Sequence, residues 1–137
     1  MKLSSFQLLA CLVFYFILSS IKGQNEYCSA SYYHSKFEGR GTSNGEVFRN
    51  NKFTAAHKNL PFGTWVKLTN TKNDSICFVR INDRLPQSSK RCIDLTQEAA
   101  RQLNMIQAGV AKVQFEVVEE IVVPAKFKSA IETRKKR

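Results

Sequence analysis

The chain opens on an apolar block: Met1 and Lys2 precede a hydrophobic run of thirteen residues, 6–18, closed by the small and polar residues Ser19-Ser20-Ile21-Lys22-Gly23. Beyond it the pattern shortens to the alternation of half-buried strands. Residues 29–33, 65–70, 76–82 and 113–118 are rich in β-branched, aromatic and alternating apolar positions, which predicts four strands. The polar break Thr71-Lys72-Asn73-Asp74 makes the middle two a hairpin. One helix is predicted over 97–103, with Thr96 as N-cap, Glu98 in its first turn, Ala99 and Ala100 inside it and Asn104 ending it. No repeat or low-complexity linker interrupts residues 25–123, and six Gly and three Pro punctuate the whole chain sparsely. Several short strands around one small helix predict a closed or partly closed all-β barrel, because a parallel α/β sheet needs more helices.

Thirteen apolar residues fall short of the roughly 20 needed to span a bilayer. With a basic start and small residues behind it, the block is expected to be a signal peptide, residues 1–23, cleaved after Gly23 to leave Gln24. An uncleaved anchor or a buried core helix is the competing reading. Leu8-Leu9-Ala10-Cys11 resembles a lipoprotein box, but the apolar run continues to Leu18, which argues against lipid at Cys11. The remainder divides into one domain, 24–124, and a basic tail, 125–137.

Charge adds a partner class without naming the partner. The 137 residues carry 21 Lys and Arg against 11 Asp and Glu, and removing residues 1–23 still leaves a net +8. Residues 125–137 hold +5 of that, either as a solvated, disordered terminus or as a binding element for an anionic surface. Export would keep the chain from nucleic acid. It would also place Cys28, Cys77 and Cys92 in an oxidising compartment, where one of three pairings can form and one thiol is left over. Their apolar surroundings suit bridged or buried thiols better than a nucleophile. The cysteine spacing fits no paired zinc motif, and nothing in the sequence calls for a metal or an organic cofactor.

Candidate chemistry centres on Asp83. Cys77, Val79 and Ile81 share one face of a strand, and by the same parity Asp83 follows at the barrel mouth, next to Arg84. A carboxylate placed there is open to tuning for proton transfer; the plainer alternative is an aspartate that starts the turn Asn82-Asp83-Arg84-Leu85-Pro86. Asp94 either lines a site or caps the entry to the helix. His57 behind Thr54-Ala55-Ala56 and Glu46 behind Asn44-Gly45 have equally plain readings, as a structural histidine and a solvated turn acid.

Ordered blocks along the chain change this balance. They include Ala30-Ser31-Tyr32-Tyr33, Thr42-Ser43-Asn44-Gly45-Glu46 and Thr54-Ala55-Ala56-His57. Leu60-Pro61-Phe62-Gly63-Thr64, Val79-Arg80-Ile81-Asn82-Asp83-Arg84, Ile93-Asp94-Leu95-Thr96 and Ala108-Gly109-Val110-Ala111 follow in order. Over about residues 28–118 this succession resembles the RlpA family. The resemblance implies a six-stranded double-psi β-barrel with one short helix, related to expansins. It also implies an exported protein of the periplasm or cell envelope acting as an endolytic lytic transglycosylase. Such enzymes cut the β-1,4 bond between N-acetylmuramic acid and N-acetylglucosamine in peptide-stripped peptidoglycan and leave 1,6-anhydro ends. The implied catalytic residues are Asp83 as acid then base, His57 as its positioning or charge-tuning partner, and Glu46. Tyr32, Tyr33, Thr54, Asn82, Arg84 and Asp94 are the implied glycan-binding residues, the two tyrosines as aromatic faces for sugar rings, although strand aromatics are more often core. The expected partners are peptidoglycan strands, with no nucleic acid, no stable membrane span and a monomeric state. A non-catalytic, expansin-like glycan-binding protein is the alternative.

Three positions depart from the family pattern. Arg49 stands where an acid is frequent, Leu85 where Gly usually follows Asn-Asp-Arg, and His34 where Gly often follows the paired tyrosines. A glycine at position 85 would permit a positive backbone angle that leucine disfavours, so Leu85 bears directly on the geometry beside Asp83. The SPOR module of many longer relatives is not found in this sequence, and the basic tail is its expected weak substitute.

Overall fold

The computed structural model describes residues 2–19 and 25–132. In chain order these form helix α1 (Ser5–Ser19), strand β1 (Glu26–Tyr32), a 3-10 turn at Ser35–Phe37, and strands β2 (Thr54–His57), β3 (Trp65–Asn70), β4 (Ile76–Arg84) and β5 (Ile93–Leu95). Helix α2 (Gln97–Gln102), strand β6 (Val110–Val118), a 3-10 turn at Glu120–Val122 and helix α3 (Ala125–Glu132) complete them. The six strands close into one barrel in the order β1-β5-β2-β4-β3-β6. Two neighbouring pairs, β1 with β5 and β2 with β4, run parallel, and the other pairs are antiparallel.

Alternation builds the core. Val66 and Leu68 of β3, Cys77, Val79 and Ile81 of β4, Ile93 and Leu95 of β5 and Val113 of β6 are all fully buried. Each such aliphatic side chain contributes about 1.5–3 kcal/mol relative to exposure. The hairpin of β3 and β4 turns through Asp74 at φ 58°, a left-handed angle that a short polar side chain tolerates. Helix α2 starts at Thr96, whose hydroxyl accepts from Ala99 N, and lays Ala99 and Ala100 on the barrel; Asn104, at φ 51°, lies just past its end.

Strand β3 coincides with its predicted span, whereas β1 starts three residues earlier than expected, β4 ends two later and β6 starts three earlier. Strands β2 and β5 carry too little pattern to be predicted. Within the tail, residues 125–132 are helical and Phe127, 3% exposed, packs on Phe53 and Phe78 with ring centroids 4.8 and 5.3 Å away. Residues 133–137, with Arg134, Lys135, Lys136 and Arg137, lie outside the described residues. Among the three candidate pairings, the disulfide is Cys28–Cys92, joining β1 to the residue before β5, while Cys77 stays buried and free. No helix among the described residues is long and apolar enough to cross a membrane. The expected cleavage junction at residues 20–24 lies outside the described residues.

Candidate active site

Four adjacent strands set Ser31, Asp94, Ala56 and Asp83 side by side. Ser31 pairs with Asp94 across β1 and β5, Asp94 with Ala56 across β5 and β2, and Ala56 with Asp83 across β2 and β4. Residues in register share a face, and strands lie about 4.8 Å apart, so the two aspartates stand roughly 10 Å apart along the row. Ala56 is the residue between them in the row. The β2–β4 register slips between Ala55 and Ala56: Ala55 faces Ile81, but Ala56 faces Asp83. Asn82 is therefore the extra residue of a bulge. The bulge corrects the simple parity argument, because Asp83 leaves the inward face of Ile81 and joins the row of Ala56.

Asp83 is a well-supplied acceptor. It takes hydrogen bonds from Tyr33 Oη (2.6 Å), Ser43 N (3.0 Å), Ser43 Oγ (2.7 Å) and Arg84 N (2.9 Å). Burial pushes its carboxyl up, but these donors together outweigh burial and hold it below the usual carboxylate range. Tyr33 responds in the opposite sense. Burial, the hydrogen bond to Asp83 and the negative charges of Asp83 and Asp94 raise its hydroxyl far above the ordinary value, so it remains a proton donor at any physiological pH. Its ring is braced by Phe37 and Phe48 at centroid distances of 5.6 and 4.7 Å.

Glu46 belongs to the same loop as Ser43 but has its own partners. Arg80 Nη2 (2.7 Å), Asn82 Nδ2 (3.1 Å) and Asn44 Nδ2 (3.0 Å) all donate to it. Burial raises its carboxyl, and those three donors more than reverse this, bringing it to about 2. Glu46 is thus an ionised tie between the 42–46 loop and β4. Gly45, at φ 87°, provides the left-handed turn that lets Gly45 N reach Thr42 O (3.0 Å).

His57 lies elsewhere. It follows Ala56 in β2 and so projects from the opposite face, where its ring packs 5.5 Å from that of Phe115. Its Nδ1 accepts from Asn59 N (3.1 Å) and Leu60 N (3.0 Å), which puts the proton of the neutral ring on Nε2. Burial, then the positive charge of Arg84, lowers its pKa, with Glu26 opposing and Lys58 adding to the shift. No hydrogen bond or ion pair joins His57 to Asp83 among the described residues; Leu85 N reaches His57 O at 3.4 Å, and Arg84 Nη1 contacts the main-chain oxygens of both His57 (3.5 Å) and Asp83 (3.4 Å).

The paired tyrosines separate for the same reason. Tyr33 reaches Asp83, whereas Tyr32 turns inward and donates to Ile106 O (2.8 Å). Thr54 is buried at the start of β2 and its carbonyl accepts from Thr96 N. Asp94, 8% exposed, accepts from Ser31 Oγ and is gripped by Arg91 through Nε (3.2 Å) and Nη2 (3.3 Å). Arg84 lays its guanidinium 3.9 Å from the ring centroid of Phe62. Of the expected residues, the structure brings Tyr33, Glu46, Asn82, Asp83 and Asp94 to one side of the barrel, and places Tyr32 and His57 away from it.

The three departures have local accounts. Arg49 pairs with Glu38 (3.2 Å) on the surface, and His34 caps the 3-10 turn by accepting from Lys36 N. Leu85 is 7% exposed and its φ is not positive, so this backbone needs no glycine there. Ser31, Ser43, Arg80, Arg91 and Phe62 escaped the sequence reading although each touches a site residue. Ser31, Ser43, Phe62 and Arg80 sit inside quoted motif blocks, and two-residue spacing from Asn82 marks Arg80 as sharing its face. No group of three His, Cys, Asp or Glu side chains able to hold a metal occurs among the described residues.

Comparisons with known proteins place this geometry in a family. Residues 25–115 match the family model described as "Lytic transglycolase". The "Endolytic peptidoglycan transglycosylase RlpA" of Haemophilus influenzae is 47% identical over 89 residues, covering 65% of this chain and 31% of the relative. The protein of the same name from Vibrio cholerae is 46% identical over 104 residues, 76% of this chain and 40% of its own. The chain thus spans about a third of the length of such relatives. Among solved structures, an expansin mutant from Clavibacter michiganensis in complex with cellohexaose superposes with a TM-score of 0.57 at 18% identity, covering 74% of this chain and 54% of that one. A Streptomyces papain inhibitor gives the same TM-score at 21% identity, over 71% and 96%. These two likenesses concern the fold, a double-psi β-barrel. With one family match running through all but the last three residues of the closing strand, the chain belongs to the Lytic transglycolase family.

Proposed function

We propose that this barrel is an exported lytic transglycosylase of the cell envelope. It cuts the β-1,4 bond between N-acetylmuramic acid and N-acetylglucosamine in peptide-stripped peptidoglycan and leaves 1,6-anhydro ends. The observation that carries the reading is the environment of Asp83, a half-buried carboxylate held by four donors and flanked by a tyrosine that stays protonated.

The reaction needs one proton delivered and one removed. An acid protonates the departing glycosidic oxygen as positive charge develops at the sugar, and a base then takes the proton of the sugar's own C6 hydroxyl, which closes on C1. No water is consumed, so one carboxyl serves both steps. In the free protein Asp83 is ionised. A bound glycan excludes water from it, and desolvation, already its largest perturbation, drives the carboxyl toward the protonated form that the first step requires. Glu46 acts by fixing the loop that bears Ser43, and His57 by holding the backbone at the end of β4.

The ionised ground state of Asp83 also favours a second reading, glycan binding without cleavage. The two separate in one experiment: denuded peptidoglycan is incubated with the purified protein and with Asp83→Asn, and the products are read by mass spectrometry. Anhydro-muramyl products from the unmodified protein alone support the enzyme. Glycan sedimentation by both forms, with products from neither, supports the binding protein.

A further inference from the structure

Asp83 does not offer its two carboxylate oxygens equally. Oδ1 accepts from Ser43 N (3.0 Å), Ser43 Oγ (2.7 Å) and Arg84 N (2.9 Å), three donors on an oxygen with two lone pairs. Two of these donors are main-chain N–H groups, fixed by the 42–46 loop and by β4, and cannot turn away. Oδ2 accepts, among the described residues, from Tyr33 Oη alone, at 2.6 Å. Oδ2 is therefore the oxygen with room for the proton that the reaction moves, and a phenol hydroxyl already stands on it.

The ring of Tyr33 is occupied by protein contacts, with Phe37 and Phe48 centroids 5.6 and 4.7 Å away, and this packing holds Oη against Oδ2. Asp94, the other carboxylate whose charge acts on Tyr33, is committed to Ser31 Oγ and Arg91. A phenol hydroxyl donates one proton and accepts another. Beside ionised Asp83 the Tyr33 proton points at Oδ2. Once Oδ2 is itself protonated, Oη can accept from it and turn its own proton toward a third oxygen.

We infer that Tyr33 is a second catalytic residue, the relay through which Asp83 exchanges its proton with the glycan. This rests on the transglycosylase reading above and gives Tyr33 a role other than sugar stacking. In the first step Tyr33 Oη gives its proton to the glycosidic oxygen and takes one from Oδ2, while the C1–O bond breaks and leaves its electron pair on the departing oxygen. In the second step the C6 oxygen bonds to C1, its proton passes to Oη, and Oη returns one to Oδ2. Tyr33 ends each step as a neutral phenol, Asp83 ends protonated as it began, and no further reactant is consumed.

The test measures kcat and KM across pH on soluble denuded glycan chains for the unmodified protein and for Tyr33→Phe, which keeps the packed ring. Loss of a relay lowers kcat roughly 100- to 10,000-fold at every pH and leaves KM unchanged. A role confined to the ionisation of Asp83 gives a different result: with one donor fewer the carboxyl protonates more readily, so Tyr33→Phe would keep its maximal kcat and move the profile to higher pH. A second measurement needs no variant. In mixtures of light and heavy water, two protons moving together make kcat of the unmodified protein a quadratic function of the deuterium fraction, whereas a single proton makes it linear. A maximal kcat for Tyr33→Phe within about tenfold of the unmodified protein, or a linear isotope dependence, overturns the inference and leaves the enzyme reading standing. Absence of anhydro products from the unmodified protein overturns the enzyme reading, and the relay with it.

Discussion

Removing the disulfide is the sharpest test of how the barrel is held together. Strand β5 is three residues long, lies between β1 and β2, and carries Asp94. Its parallel register with β1, Ala30 against Ile93 through Tyr32 against Leu95, is extended by Cys92 N donating to Ser29 O and then clamped by Cys28–Cys92. The bridge spans 64 residues of sequence. In the chain-entropy account, closing a loop of that length in the unfolded chain stabilises the native state by about 4 kcal/mol. That is a large fraction of the roughly 5–15 kcal/mol that holds a typical domain. The double variant Cys28→Ser, Cys92→Ser is therefore expected to lose about 4 kcal/mol. With an m value of about 1–1.5 kcal/mol/M in urea, its midpoint should fall by roughly 3 M. Trp65, the only tryptophan and 5% exposed, reports the transition by fluorescence. Thiol labelling in denaturant without reductant should modify Cys77 and leave Cys28 and Cys92 untouched in the parent protein. A midpoint change under about 1 M at unchanged m would refute the reasoning, since it would mean that the hydrogen-bonded register alone holds β5.

Three further expectations concern the site. Tyr33→Phe deletes one of the four donors that depress the Asp83 carboxyl, so its pKa should rise, as read by carboxyl-carbon NMR titration; no change or a fall would refute the assigned role. The depressed pKa of Asp83 contributes stability above the ordinary carboxylate pKa that is lost as pH falls through the folded value, and Tyr33→Phe should shrink that contribution. Glu46, brought from its ordinary 4.5 to about 2, likewise stabilises the fold above pH 4.5 and loses its contribution on the way to pH 2. Thermal melts of Glu46→Gln against the parent should differ most above pH 4.5 and converge toward pH 2, and a pH-independent difference would count against the Arg80 tie. Leu85→Gly should destabilise by about 3 kcal/mol in urea melts, because it empties a buried leucine site at a backbone angle that needs no glycine. A gain in stability would overturn this.

The sequence disclosed long elements and hid short ones for a physical reason. Strands β3 and β4 bury one face or both with β-branched and aromatic side chains, so period two is visible in Trp65 to Asn70 and in Cys77, Val79 and Ile81. Strand β2 is Thr-Ala-Ala-His, buried between β4 and β5, where small residues fit and no periodicity can show. Strand β5 has only three residues. The separation of Tyr32 from Tyr33 was accessible, since consecutive strand residues face opposite ways. Tyr32, packed against the core, follows the common fate of strand aromatics, and Tyr33 alone stays on the side of the site. The charges of the tail concealed Phe127, the single aromatic that packs on Phe53 and Phe78.

What no alternation pattern contains is the bulge at Asn82, and the site depends on it. Without the extra residue Asp83 would continue the inward face of Ile81 and lie in the barrel core, an expensive place for a carboxylate. With it, Asp83 turns to the row of Ala56 and Asp94, and Asn82 is freed to donate to Glu46. One inserted residue thus sends two polar side chains to the same loop, Asn82 to Glu46 and Asp83 to Ser43. The loop is pinned at both ends, and the hydrogen bonds that set the ionisation of Asp83 depend on a neighbour that is itself fixed by an ion pair to Arg80. Glu46 therefore belongs to the proton chemistry proposed for Asp83 without touching the reacting atoms: it holds the Ser43 donors where they keep that carboxyl ionised until a glycan displaces the water around it.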